Sequence, residues 1–213
     1  MKRLLTALAI LALSGCALKT QTLQLGSPVT DRVVGTLKPV VIEGVIDSRD
    51  FQKIPENSGP RLDPKIAQQL GPEGRSKAIS GMPRGPLVTL LDHGTVADKM
   101  REVVTAALRS RGYEVVPAEQ APPEAPRVSV RVKEFWSYMP FSFGRSLTWT
   151  MQLKAWVSTD IAIKSAGLER EFTIDGYGAH IVQVYDKENI QQAYDIALAD
   201  YTTKLEAKLS GSL

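Results

Sequence analysis

The side chains that could do acid–base, nucleophilic or metal chemistry are few in this 213-residue chain, which has two histidines and one cysteine. His93 and His180 lie on opposite sides of a Pro-rich stretch at 117–126, and no HExxH, CxxC or H-x-E arrangement joins them. A catalytic metal needs three convergent protein ligands, so none is expected. A serine nucleophile needs a sharp turn such as G-x-S-x-G, and Gly144-Arg145-Ser146-Leu147-Thr148 lacks the second glycine. Gly71 to Lys77 has the glycines of a phosphate-cradling loop without its Gly-Lys-Ser/Thr ending. The acid pairs Asp47 with Asp50 and Glu169 with Glu171 fall at loop and strand positions where solvated carboxylates are ordinary, and His93 reads as a loop residue before a helix cap. The expectation is no enzyme and no cofactor, which leaves the sulfur of Cys16.

Met1-Lys2-Arg3 is cationic, and Leu4 to Leu13 is an apolar run too short to span a bilayer, which together read as a secretory signal over 1–15. The run ends in Leu13-Ser14-Gly15-Cys16, which looks like a bacterial lipobox: small residues admit a signal peptidase and the thiol takes the lipid. A spare buried thiol is the alternative, but an unpaired thiol in a secreted protein is prone to oxidation. Acylation at Cys16 resolves the odd count and supplies enough hydrophobic chain for stable anchoring, with covalent lipid the only attached group expected. Residues 16–34 read as a lipidated tether, polar and threonine-rich from Lys19 to Asp31. The mature chain would carry 24 basic against 23 acidic residues. That balance gives no concentrated basic face and no case for nucleic acid. Ala17 rather than Asp follows Cys16, and in the Gram-negative lipoproteins that this resembles that residue implies the outer membrane, with the inner membrane as the alternative.

A mean hydropathy of −0.11 leaves no room for a polytopic membrane protein. With 43% apolar and 23% charged residues, 35–213 is expected to fold as a single domain interrupted by a Pro/Gly-rich insertion at 52–92. That insertion is too long for an ordinary connection and reads as a surface excursion or a mobile loop, with a helical turn or two near 64–70. Val40 to Ile46 is β-branched and predicts a strand at 39–46. Thr95 with Asp98 forms a capping box ahead of a helix at 96–111, stopped by Gly112. Residues 113–116 predict a short strand. Val128, Val130 and Val132 alternate with polar residues, and the same rule from Leu147 to Ile163, a turn at Ser165-Ala166-Gly167 and a return over 168–182 predict a long antiparallel hairpin. Asp186 caps a final helix with Ile190, Ala193, Tyr194, Ala197, Leu198, Tyr201, Leu205 and Leu209 on one stripe. The fold class is therefore α+β: a mainly antiparallel sheet with two amphipathic helices on one face.

Seven of the fourteen aromatics, including all three tryptophans, fall between Phe135 and Trp156. Trp149 reads as core. Trp136 and Trp156 are expected on the outer sheet face, and Tyr138, Phe141 and Phe143 belong to a turn-like segment with Pro140 and Gly144. Rings exposed together mark a surface for protein, lipid or glycan, since they give contact area at low entropy cost, and filling the core is the competing use.

The order of lipobox, strand ending Ile46-Asp47-Ser48-Arg49, segment Val88-Thr89-Leu90-Leu91, helix ending Arg111-Gly112-Tyr113, alternating hairpin and C-terminal helix resembles the YajG-like family of uncharacterised Gram-negative lipoproteins. The insertion at 52–92 and the aromatic segment 135–143 depart from it. A more distant similarity is to the lipoprotein accessory subunits of ABC-type lipid transport systems. Both imply a membrane-anchored, periplasm-facing lipoprotein and neither supplies a mechanism. The residues themselves give the reading of a non-catalytic component that binds an envelope protein through Trp136, Tyr138, Phe141, Phe143 and Trp156. The alternative is a carrier that holds a lipid ligand between sheet and helices.

Overall fold

The computed structural model describes residues 20–26, 36–51, 64–81, 87–91, 94–139 and 151–210. Cys16, the signal segment, His93, Phe141, Phe143 and Trp149 lie outside the described residues. The elements in chain order are β1 (Thr20–Leu23), β2 (Lys38–Asp47), α1 (Pro64–Gln69), α2 (Pro72–Lys77), β3 (Ala78–Gly81), β4 (Leu87–Leu90), α3 (Val96–Ser110), β5 (Tyr113–Val115), β6 (Arg127–Tyr138), β7 (Met151–Ser165), β8 (Leu168–Val182) and α4 (Lys187–Leu209).

The fold is α+β, built on two sheets. Five strands run in the order β5-β2-β6-β7-β8, and three more run β1-β4-β3. The expectation of a mainly antiparallel sheet holds for β6, β7 and β8 and fails for β2, which pairs parallel with both β5 and β6. Alternation in sequence reports which face a residue takes and is silent on strand direction, so the parallel pairs left no trace. The β7–β8 hairpin turns on Ala166 and Gly167, with φ of 48° and 80°. Positive φ at both central residues is what a two-residue hairpin loop requires to match the strand twist.

Helices α3 and α4 cover the inner face. Thr95 and Asp98 form the predicted reciprocal capping box, and Gly112, at φ 83°, takes the left-handed conformation that ends α3. All eight residues of the predicted α4 stripe are buried. They share one core with Val128, Val130 and Val132 of β6, and with Leu153, Val157, Ile161 and Ile163 of β7.

The second sheet was not expected. Thr20–Leu23, assigned to the tether, is a strand in parallel register with β4, and Leu23 and Leu25 are buried in the main core. The 52–92 insertion contributes α1, α2, β3 and β4, with Ile79 and Val88 fully buried. Its described part is thus core structure in addition to surface excursion. Four-residue strands separated by Pro and Gly carry too short a pattern to register as alternation.

Two tyrosines hold the core from within. The Tyr194 hydroxyl donates to the Ile79 carbonyl at 2.9 Å, and Tyr201 shares a 2.7 Å hydrogen bond with the Thr159 hydroxyl. Burial pushes both phenols above their ordinary range, chiefly because the anion would be desolvated. A phenol whose pKa is raised by folding contributes stability that is complete below the unfolded value of about 10 and is lost as pH rises toward the folded value. Alkaline unfolding is therefore expected to begin above about pH 10, with tyrosinate absorbance from these rings appearing together with loss of ellipticity. Tyrosinate signal from Tyr194 or Tyr201 in the still-folded protein would contradict this. Tyr201→Phe should weaken the alkaline response and cost about 1–3 kcal/mol at neutral pH, since it strands the buried Thr159 hydroxyl.

Candidate functional site

Strict alternation carried forward from Val132 would point Trp136 into the core. A bulge between Val132 and Glu134 reverses the parity, so Phe135 enters the core and stacks on Tyr194 at 4.9 Å while Trp136 turns outward. In the cross-strand register Trp136 faces Trp156, and Trp156 faces Tyr177. An aromatic row thus crosses β6, β7 and β8 on the outer face, the arrangement in which neighbouring side chains on a sheet contact one another.

The two ends of that row differ. Trp136 is only 1% exposed, which corrects its expected place on an open partner surface. Ile66, Ala67, Ala78 and Leu87 cover it, with Leu70 and Phe51 packed alongside, and Phe51 meets the indole edge-on at 5.3 Å. Tyr138 is likewise buried, at 7%, because β3 lies beside this end of β6, Ser80 Oγ donating to the Ser137 carbonyl at 3.0 Å. Neither side chain is available as a contact residue. Sequence could not show this, because the covering residues come from the insertion. Trp156 is half-buried, and Tyr177 is exposed with the Lys154 ammonium 5.7 Å from its ring centroid. Farther along the outer row of β8, Ile181 is 70% exposed.

Arg49 locks the cover in place. Its side chain is fully buried, and it grips both Asp47 carboxylate oxygens at 2.8 Å through Nε and Nη2. Nη1 donates to the carbonyls of Ala78 and Phe135 at 2.6 and 3.2 Å, and Nη2 donates to that of Arg75 at 3.0 Å. The guanidinium also lies 4.5 Å from the Trp136 ring centroid. Only a planar five-donor fork can serve a bidentate carboxylate and three carbonyls while stacking on an indole. Asp47, one of the two acid pairs, is therefore a structural partner of Arg49. In the other pair, Glu169 meets Lys164 at 3.5 Å.

A cleft of about 270 Å³ opens at the far end of the outer face, lined by Glu43, Ile46, Arg131, Asp160 and Glu171 among others. Partial burial opposes ionisation of Asp160, yet hydrogen bonds from Thr173 and Lys133 hold its carboxyl below the usual range. An acid that is ionised and already hydrogen-bonded is a poor proton donor. His180 is engaged with the Asn189 carbonyl at 3.1 Å. Among the described residues no group of three His, Cys, Asp or Glu side chains is arranged to hold a metal ion, and no helix is long and apolar enough to cross a membrane.

No family model matches the chain, and no curated protein matches it. Among solved structures it is similar to a Xanthomonas campestris protein that belongs to the family model DUF330, at 15% identity with a TM-score of 0.42, over 92% of this chain and 99% of that one. It is also similar to an uncharacterised protein at 12% identity with a TM-score of 0.40, over 89% and 99%.

Proposed function

We propose that the chain is a non-catalytic envelope lipoprotein, anchored through Cys16, whose folded domain binds another envelope protein through the open end of the aromatic row. The observation that carries this reading is the asymmetry of the row: Trp136 is sealed under the insertion, while Trp156 and Tyr177 run on to the surface in register with it. A rigid, backed stripe of rings offers contact area that loses little side-chain freedom on binding. Lys154 beside Tyr177 favours a partner surface that is apolar and bordered by an acid. The carrier alternative needs space between sheet and helices, whereas β8 packs directly on the backbone of α4 at Gly176 and Gly178.

In-cell photocrosslinking from probes at Trp156 and Tyr177 tests the reading. The expected result is one discrete protein adduct common to both positions, weakened by Lys154→Glu and absent from a probe at Leu168. Adducts to lipid alone, or no adduct at either position, would overturn it.

A further inference from the structure

We infer that the domain lies flush against the bilayer, and that the end of the fold carrying Ile181 and Val184 rests on the lipid surface. The inference depends on Cys16 being the lipidated residue. Read from sequence, the tether runs to residue 34 and would let the domain stand well away from the membrane. The structure ends it at residue 20. Thr20 to Leu23 are in register with Leu87 to Leu90, and the Leu91 amide donates to the Leu23 carbonyl at 2.8 Å. Leu23 and Leu25 are buried. The Lys99 ammonium then clasps the carbonyls of Leu25 and Gly26, at 3.1 and 2.6 Å, while pairing with Glu102 at 3.0 Å. A segment held by strand pairing, core burial and a buried cation does not act as slack. Only residues 17–19 separate Cys16 from β1. Four residue steps, fully extended, reach about 14 Å. That is less than the radius of gyration alone of a compact domain of this length, about 16 Å, so the end at which β1 begins has to face the membrane.

Hydrogen bonds and register identify what else lies at that end. Thr20 pairs with Leu87, and Leu87 pairs with Gly81. Next to Gly81, Ser80 bonds the Ser137 carbonyl and, at 2.6 Å, the Tyr185 hydroxyl. Tyr185 follows Val184, which is 60% exposed, and Ile181 is 70% exposed close by. Two branched apolar side chains are thus left in the open at the end to which the lipid is tied, where an interface would cover them. Leu168, also exposed at 65%, begins β8 at its opposite end. At about 3.3 Å per residue it stands about 45 Å away along the strand.

The test uses the acylated full chain in vesicles of phosphatidylethanolamine and phosphatidylglycerol that contain headgroup spin-labelled lipid and no other protein. A fluorophore is placed by Val184→Cys or, as the distant control, Leu168→Cys. The expected result is quenching several-fold stronger at 184 than at 168, with the difference abolished when a long Gly/Ser segment is inserted between Lys19 and Thr20. Protein that floats with the vesicles but shows equal quenching at both positions would overturn the inference and leave the anchor intact, pointing to a protein as the cover for Ile181 and Val184. Protein that fails to float would refute the anchor itself, and with it the inference.

Discussion

Arg49→Ala is expected to lower the unfolding free energy by about 3–5 kcal/mol, the range for removing one partner of a buried ion pair. The reason is the number of groups the guanidinium serves. Its loss strands the carbonyls of Ala78, Phe135 and Arg75 and leaves Asp47 without its bidentate partner. Buried acceptors left unpaired each carry a desolvation penalty. Arg49→Lys should recover little, since a single ammonium cannot reach a carboxylate and three carbonyls at once, nor stack flat on Trp136. Urea unfolding of the three proteins measures both differences. A loss below about 1 kcal/mol for the alanine variant, typical of an exposed pair, would show that the network is not a structural lock.

The Arg49 variants also separate fold from function. Trp136 is covered by residues of the insertion that Arg49 ties to β6, so loosening the tie should admit water to the indole and shift its emission to the red while the α3 and α4 ellipticity remains. The aromatic row would then lose its rigid inner end. Crosslinking from Tyr177 is expected to weaken in Arg49→Lys although Tyr177 itself is unchanged.

How far the sequence foretold this arrangement depends on the kind of signal each part leaves. Long periodic elements were legible: the α3 cap and stop, the eight-residue stripe of α4 and the β7–β8 turn all follow from local patterns whose physics is complete within one element. The register was legible as well. Tyr177 lies nine positions after Leu168, and Trp156 nine before Ser165, so the turn alone pairs them, and counting would have added Tyr177 to the site. What could not be read was whatever depends on residues meeting from afar. The outer face expected for Trp136 holds, but it is reached only through the bulge after Val132, since strict alternation from Val132 would have put the ring in the core. Arg49 is a single arginine in a loop, and its partners at residues 75, 78 and 135 are brought to it only by the fold. The β1 strand is four residues of Thr, Gln and Leu, and its identity as a strand comes from β4, which lies more than sixty residues away in the sequence.

The second large effect is expected at Gly178, where one added methyl group should destabilise the protein by about 3 kcal/mol, the upper part of the range for overpacking a core. A Cβ built there would lie 2.1 Å from the Ala193 carbonyl oxygen and 2.7 Å from the Ala197 nitrogen. Those are backbone atoms of α4, so no rotamer change relieves the clash, and the helix has to move off the strand. Gly176 is similar, with Ala197 O at 2.4 Å and Tyr201 Cβ at 2.5 Å. Two glycines on β8 and two alanines on α4 thus set how closely helix and sheet approach. That approach places Asp200 within 2.9 Å of the Tyr177 amide and Lys204 within 3.0 Å of the Asp175 carbonyl. Both groups lie on β8, the outermost strand of its sheet, where unpaired backbone would invite another strand. Gly178→Ala is therefore expected to lower stability and to make the protein prone to self-association through β8. Gly44→Ala, with no atom within 4 Å of the added carbon, is expected to do neither. Thermal unfolding with light scattering compares the two. Equal behaviour of Gly178→Ala and Gly44→Ala would mean that the close packing of α4 on β8 does not protect the sheet edge.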